Sequence, residues 1–194
     1  MNYLAHLFLS GDDPDLLVGN FIGDAVKGNK FEDFPPAIAR GVLLHRFIDD
    51  FSDHHPSALK TRKRLRSDFG LWSPVITDMF YDHFLAANWS DFSNEKLEAY
   101  TEKTYSVLNS YKKFFPENMK MLLHYMSKSN WLLNYSKIEG IERSLNGMSS
   151  RIEAENNLHL AGEELRQNYD LYESDFLEFF PKIQQAVAED LREK

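Results

Sequence analysis

The chain has 194 residues, of which 43% are hydrophobic and 14% aromatic, with no cysteine and a net charge of −8. That length allows one domain with a substantial core, and that much apolar area excludes a disordered chain. The missing thiols exclude disulfides and thiolate metal sites. The acidic balance speaks against nucleic-acid binding, which needs a cationic surface.

The opening residues 1–10 lack the basic region and cleavage site of a signal peptide, and no apolar run reaches the roughly 20 residues of a membrane span. A cytoplasmic protein is expected. Asp12, Asp13 and Pro14 read as a cap with a first-turn proline, predicting a helix over residues 15–26 that Gly28 and Asn29 end. Pro35 and Pro36 open the next, with Ile38, Val42, Leu43, Phe47 and Ile48 at apolar positions as far as Pro56. Ser57 begins a basic helix that Gly70 stops, and Ser73-Pro74 starts one reaching about Ala87. Ser93 caps a helix to about Lys112, and Pro116 begins one to about Ser127. Short segments around Trp131 and Ile141 lead to Asn146-Gly147. A long amphipathic stretch is expected over residues 149–179, with Pro181 as a kink or restart. No alternating strand pattern of useful length occurs. The reading is all-α: a single-domain helical bundle over residues 1–194, with seven to nine helices.

Five of the seven histidines precede residue 84. His45 and Asp49 lie four apart on one helix face, with Asp53 extending the row if the helix persists. Asp78 and Asp82 form a second such pair, with His83 beside the latter. Asp24 ends an apolar helix, and His6 lies among Leu4, Ala5, Leu7, Phe8 and Leu9. A carboxylate on an apolar face costs several kcal/mol unless paired or bound to metal. One such residue reads as a cap or an ion pair. Several on separate helices can converge on an interior cation, which offsets their mutual repulsion. Imidazole with carboxylate suits Mn²⁺, Fe²⁺, Mg²⁺ or Zn²⁺, and such a centre activates water and neutralises phosphoryl charge. Arg46 could add to that stabilisation, or pair at the surface with Asp49 or Asp50. His54 and His55 read as a helix-end cap, His124 as core or boundary, His159 as exposed, and Phe176, Phe179 and Phe180 as core.

Charge is unevenly spread. Lys60, Arg62, Lys63, Arg64 and Arg66 fall within seven residues that hold no anion, leaving about −13 on the remainder. This segment is either a solvated helix face or a docking patch for an acidic partner.

Taken together, these residues resemble the acyl carrier protein phosphodiesterases, atypical relatives of the HD phosphohydrolases. The resemblance runs through the M-N-Y-L-A-H-L opening, G-N-F-I-G-D ending at Asp24, F-P-P at Phe34, H-R-F-I-D from His45, Asp53, Asp78, Y-D-H-F-L around Asp82, Trp89, Trp131 and L-N-G-M-S-S-R ending at Arg151. It implies an HD-like helical fold. It also implies cleavage of the phosphodiester joining 4′-phosphopantetheine to a serine of holo-acyl carrier protein, with Mn²⁺ as cofactor and Mg²⁺ or Fe²⁺ as substitutes. On matching positions it implies a metal set of His6, Asp24, His45, Asp49, Asp82 and His83. Asp24, His45, Asp49 and Arg46 would take the catalytic roles. The Asp82-His83 pair reverses the His-Asp doublet of ordinary HD enzymes, so ligand-by-ligand roles do not transfer. Carrier proteins are acidic, so Lys60, Arg62, Lys63, Arg64 and Arg66 become the expected docking segment. Two other readings share parts of this pattern: an HD-type hydrolase of a nucleotide or small phosphoester, and a non-catalytic helical protein that binds an acidic partner.

Overall fold

Proline and cap chemistry set most helix starts. The computed structural model describes residues 1–154 and 156–193. After α1 (Tyr3–Leu9), the Asp13 carboxylate accepts from the Asp15 and Leu16 N–H groups and Pro14 opens α2 (Pro14–Ile22). A 3₁₀ turn (Gly23–Ala25) follows where the sequence suggests continued α-helix. Prolines also stand at the starts of α3 (Pro36–His54), α4 (Pro56–Phe69) and α5 (Ser73–Ala87). The His55 ring caps the start of α4 by accepting from the Ser57 N–H, where the sequence suggests a helix-end cap, and Gly70 ends α4 at φ +51°.

The remaining helices are α6 (Trp89–Phe92), α7 (Leu97–Ser110), α8 (Glu117–Lys128), α9 (Trp131–Asn134), α10 (Ile138–Ser149), α11 (Ala161–Gln167) and α12 (Tyr169–Glu193). No strand occurs among the described residues, and the architecture is all-α. Among the described residues twelve α-helices replace the expected seven to nine, in part because α6 and α9 are single turns too short to carry a period. The long stretch expected over residues 149–179 is interrupted. There Asn156 accepts from the Ser149 hydroxyl and the Leu158 N–H, giving the backbone a local alternative to helix. Pro181 lies inside α12 without ending it.

Two glycines bring α2 and α3 unusually close. A Cβ on Gly19 would strike the Ile38 carbonyl and the Gly41 backbone, and one on Gly41 would strike Leu16 and Gly19. The backbones therefore meet directly, without intervening side chains. α1 packs on α2 and α5, while α12 packs across α3, α4 and α5. Phe176, Phe179 and Phe180 of α12 are wholly buried, and the rings of Tyr81 and Phe84 pack on Phe176, as expected of core residues. The buried apolar side chains form one contiguous cluster.

Candidate metal centre

Two helices and one turn deliver His6 (α1), His45 and Asp49 (α3) and Asp24 (the turn after α2) to one place. Ligand atoms of His6, His45 and Asp49 lie within 4.8 Å of one another. His45 Nε2 is 3.1 Å from Asp49 Oδ2 and 3.3 Å from Asp24 Oδ1, and His6 Nε2 is 3.1 Å from Asp49 Oδ1. The two imidazoles stack at 4.1 Å between centroids. Both rings are buried, whereas the Asp24 and Asp49 side chains remain 69% and 40% exposed. The centre has an imidazole floor and a carboxylate rim open to solvent.

The orientation of both rings comes from Asn20 on α2, a residue that the sequence reading missed. His45 Nδ1 lies 2.8 Å from the Asn20 main-chain carbonyl, which can only accept, so that nitrogen carries the proton. The Asn20 amide nitrogen donates to the His6 carbonyl and the Ser10 hydroxyl. Its oxygen therefore faces His6 Nδ1, 2.8 Å away, and accepts from it. Both Nε2 atoms are thereby turned toward carboxylate oxygens. That arrangement repels itself unless a proton or a cation lies between. His45 Nε2 is buried and has no well-aligned hydrogen bond despite its two carboxylate neighbours. Two imidazole lone pairs with one or two carboxylates fit a divalent cation.

Electrostatics agree. Burial pushes the His6 pKa down to about 4, helped by the neighbouring His45. For His45 burial acts in the same direction, but hydrogen bonds and charge from Asp24 and Asp49 prevail and raise it to about 9. Asp49 is opposed by burial, yet its bonds to His45 and His6 hold its carboxyl well below the usual range. Asp24 is lowered mainly by its bond to His45. Gly23 lets Asp24 approach, since a Cβ there would overlap the His45 ring.

Asp82 and His83 are not brought to this group. Asp82 is fully buried and accepts from the Leu4 and Ala5 N–H groups at 2.7 and 3.1 Å, satisfying the open amino end of α1. Burial raises its pKa to about 7 against those two bonds. His83 points elsewhere, with Nδ1 donating to the Tyr135 carbonyl and Nε2 beside the Tyr169 hydroxyl. Asp78 lies 3.2 Å from the Met1 amino nitrogen, which is itself 3.8 Å from Asp49. Among the described residues, Arg46 is not seen paired with Asp49 or Asp50. It donates to the Val26 and Gly28 carbonyls and lies over the Phe31 ring, fixing the loop beyond Asp24. His124 is exposed, not core or boundary, and His159 is exposed as expected.

The basic segment is also largely committed. Lys60 and Arg64 pair with Asp175, a fully buried carboxylate of α12, and Arg62 pairs with Asp53 at 2.8 Å and approaches Asp78. Among the described residues, Lys63 and Arg66 are exposed and have no acidic partner. No helix is long and apolar enough to cross a membrane among those residues.

Sequence comparison adds a consistent set of relatives. A family model described as acyl carrier protein phosphodiesterase matches residues 1–183. A curated protein named acyl carrier protein phosphodiesterase from Escherichia coli O6:H1 (strain CFT073) is 32% identical over 193 residues, 97% of this chain and 98% of its own length. Proteins of the same name from E. coli O139:H28 (strain E24377A) and strain K12 (DH10B) are 33% identical over 188 residues, covering 94% of this chain and 95% of theirs. No solved structure matches the chain.

Proposed function

Since the chain belongs to the acyl carrier protein phosphodiesterase family, we propose that it hydrolyses the phosphodiester between 4′-phosphopantetheine and a serine of holo-acyl carrier protein at a divalent metal held by His6, His45 and Asp49. The observation that carries the metal is the pair of Nε2 atoms, both turned by Asn20 toward the carboxylates of Asp49 and Asp24. A bound cation would act as a Lewis acid on a phosphoryl oxygen and lower the pKa of water. The mixed nitrogen and oxygen donors accept Mn²⁺, the ion the family resemblance implies, with Fe²⁺ or Mg²⁺ as substitutes.

The protein's own groups then divide the work. His6 and His45, both buried, and Asp49, which lies within 3.1 Å of both rings, would hold the ion. Asp24, the most exposed carboxylate of the group, is the one placed to ligate weakly or to accept a proton from the attacking water. Asp82 and His83 position α1 and α9 and stay outside the chemistry. Arg46 is a positioning residue for the Asp24 loop. Docking of an acidic carrier protein falls to Lys63 and Arg66, the two cations of the basic segment without internal partners.

The deciding experiment incubates the protein with holo-acyl carrier protein and Mn²⁺ and follows the carrier protein by mass spectrometry. Loss of the phosphopantetheine group, abolished by Asp49→Ala, is expected. Retention of the group by protein shown to bind Mn²⁺ would overturn the proposed substrate, and hydrolysis of a nucleotide instead would favour a small-phosphoester hydrolase.

A further inference from the structure

A cavity of about 440 Å³ is lined in part by Asn2, Tyr3 and Met79, the chain neighbours of Met1 and Asp78, which meet near Asp49. The Asn2 amide lies 2.6 Å from the Met79 sulfur. Tyr3 links the two places: its ring packs on Phe21 of α2, and its hydroxyl feels the charge of Asp24. The other walls come from α8, α9 and α10. They include the L-N-G-M-S-S-R segment, for which the metal centre has no use.

The lining is mixed in a particular way. Met79, Leu122, Trp131 and Met148 give an apolar, sulfur-rich surface. Arg143 on α10 and Arg151 just beyond it are exposed and, among the described residues, have no acidic partner. The Asn134 amide nitrogen is committed to the Ser129 and Asn130 carbonyls, so its side-chain oxygen remains the acceptor it offers. The volume falls within the roughly 300–1,000 Å³ of small-molecule sites. A protein helix, about 10–12 Å across with its side chains, does not fit such a space.

We propose that this cavity receives the pantetheine arm of the substrate: a slender chain with a gem-dimethyl group, two amides and a terminal thiol. The proposal rests on the carrier-protein reading above. The arm's amide carbonyls accept from Arg143 and Arg151, an amide N–H meets Asn134, and the methyl groups and thiol lie against Met79, Trp131 and Met148. The phosphate end then faces Asn2, Tyr3 and Met79, toward the metal centre.

Gly147 supplies the test, because it lines the cavity and a Cβ on it would meet nothing within 4 Å. Gly147→Leu therefore adds a branched side chain at the cavity lining from a Cβ that meets no other atom. Metal-free protein titrated with pantetheine by calorimetry should give a saturable heat, weakened at least tenfold in Gly147→Leu. With Mn²⁺ present, the same variant should raise KM for holo-acyl carrier protein at least tenfold. Its turnover of bis(p-nitrophenyl) phosphate should be unchanged. If that variant does not fold, Leu122→Trp narrows the cavity from α8 and should have the same effects. No heat from pantetheine, or heat that neither variant alters, overturns the proposal whatever the protein hydrolyses. Heat only from an acyl thioester of pantetheine would overturn it too and assign the cavity to an acyl chain. Pantetheine binding without cleavage of the holo-protein would instead remove the substrate reading and leave the cavity assignment standing.

Discussion

In the metal-free protein, His45 keeps a proton to about pH 9, because Asp24 and Asp49 outweigh its burial. An incoming cation must displace that proton, while His6, with a pKa of about 4, is already neutral. Mn²⁺ affinity should therefore rise about tenfold per pH unit between about pH 6 and 8 and level off above about 9, which titrations at several pH values will measure. Stability of the metal-free protein runs the other way. The His45 pKa lies above its unfolded value of about 6.5, so its contribution is complete below that pH and is lost as pH rises through about 9. Asn20→Ala removes the acceptor that sets the His6 tautomer and should lower Mn²⁺ affinity by about 10–100-fold. His6, His45 and Asp49 were legible because polar groups on apolar faces need an explanation. Asp82 raised the same flag for a different reason: the free N–H groups of a helix end offset its desolvation, and spacing cannot distinguish that from ligation. Asn20 raised none, since a neutral amide on an apolar helix carries no charge to account for.

Among the elements, α4 shows how composition can mislead about surface. Its run of cations reads as a patch, but the partners of Lys60 and Arg64 lie more than a hundred residues away on α12, beyond the reach of any local pattern. Arg64→Ala should lower stability by at most about 3–5 kcal/mol, the range for breaking a buried pair, because Lys60 and Thr61 still hold Asp175. Reversing Lys63 and Arg66 to Glu should leave the melting temperature nearly unchanged and raise KM for the carrier protein several-fold. Unfolding curves and steady-state kinetics on the two sets separate the structural cations from the docking ones. Helix starts were readable because proline and Asp13 act locally. The interruption after α10 was not, because its apolar period continues through residues whose backbone is turned by Ser149 and Asn156.

On the scale of the molecule, the metal centre draws on residues 6–49, while the walls of the neighbouring cavity reach to residue 151. The first was visible in sequence because its ligands recur at helical spacing. The second was not, since a cavity depends on how α8, α9 and α10 close over α1 and α5. The centre's orientation relies on the Asn20 hydrogen bonds and the α2–α3 packing, contacts between protein groups alone, so chelation should leave the helical circular dichroism intact. Restoring Mn²⁺ to a hundred times its Kd should stabilise the fold by about 2.7 kcal/mol. For a chain of this length that is a rise in melting temperature of about 5–10 °C.

The Gly19–Gly41 crossing gives this site an uneven tolerance to change. Side chains on the outer faces of α2 and α3 can be exchanged freely, because none of them sets the spacing between the helices. At the crossing itself, one added methyl must push the two backbones apart and draw the Asn20 carbonyl away from His45. The tuning of the metal centre is thus held where no side chain exists to be read, and Gly19→Ala, at a residue that is itself no ligand, would detune it while leaving every ligand in the sequence.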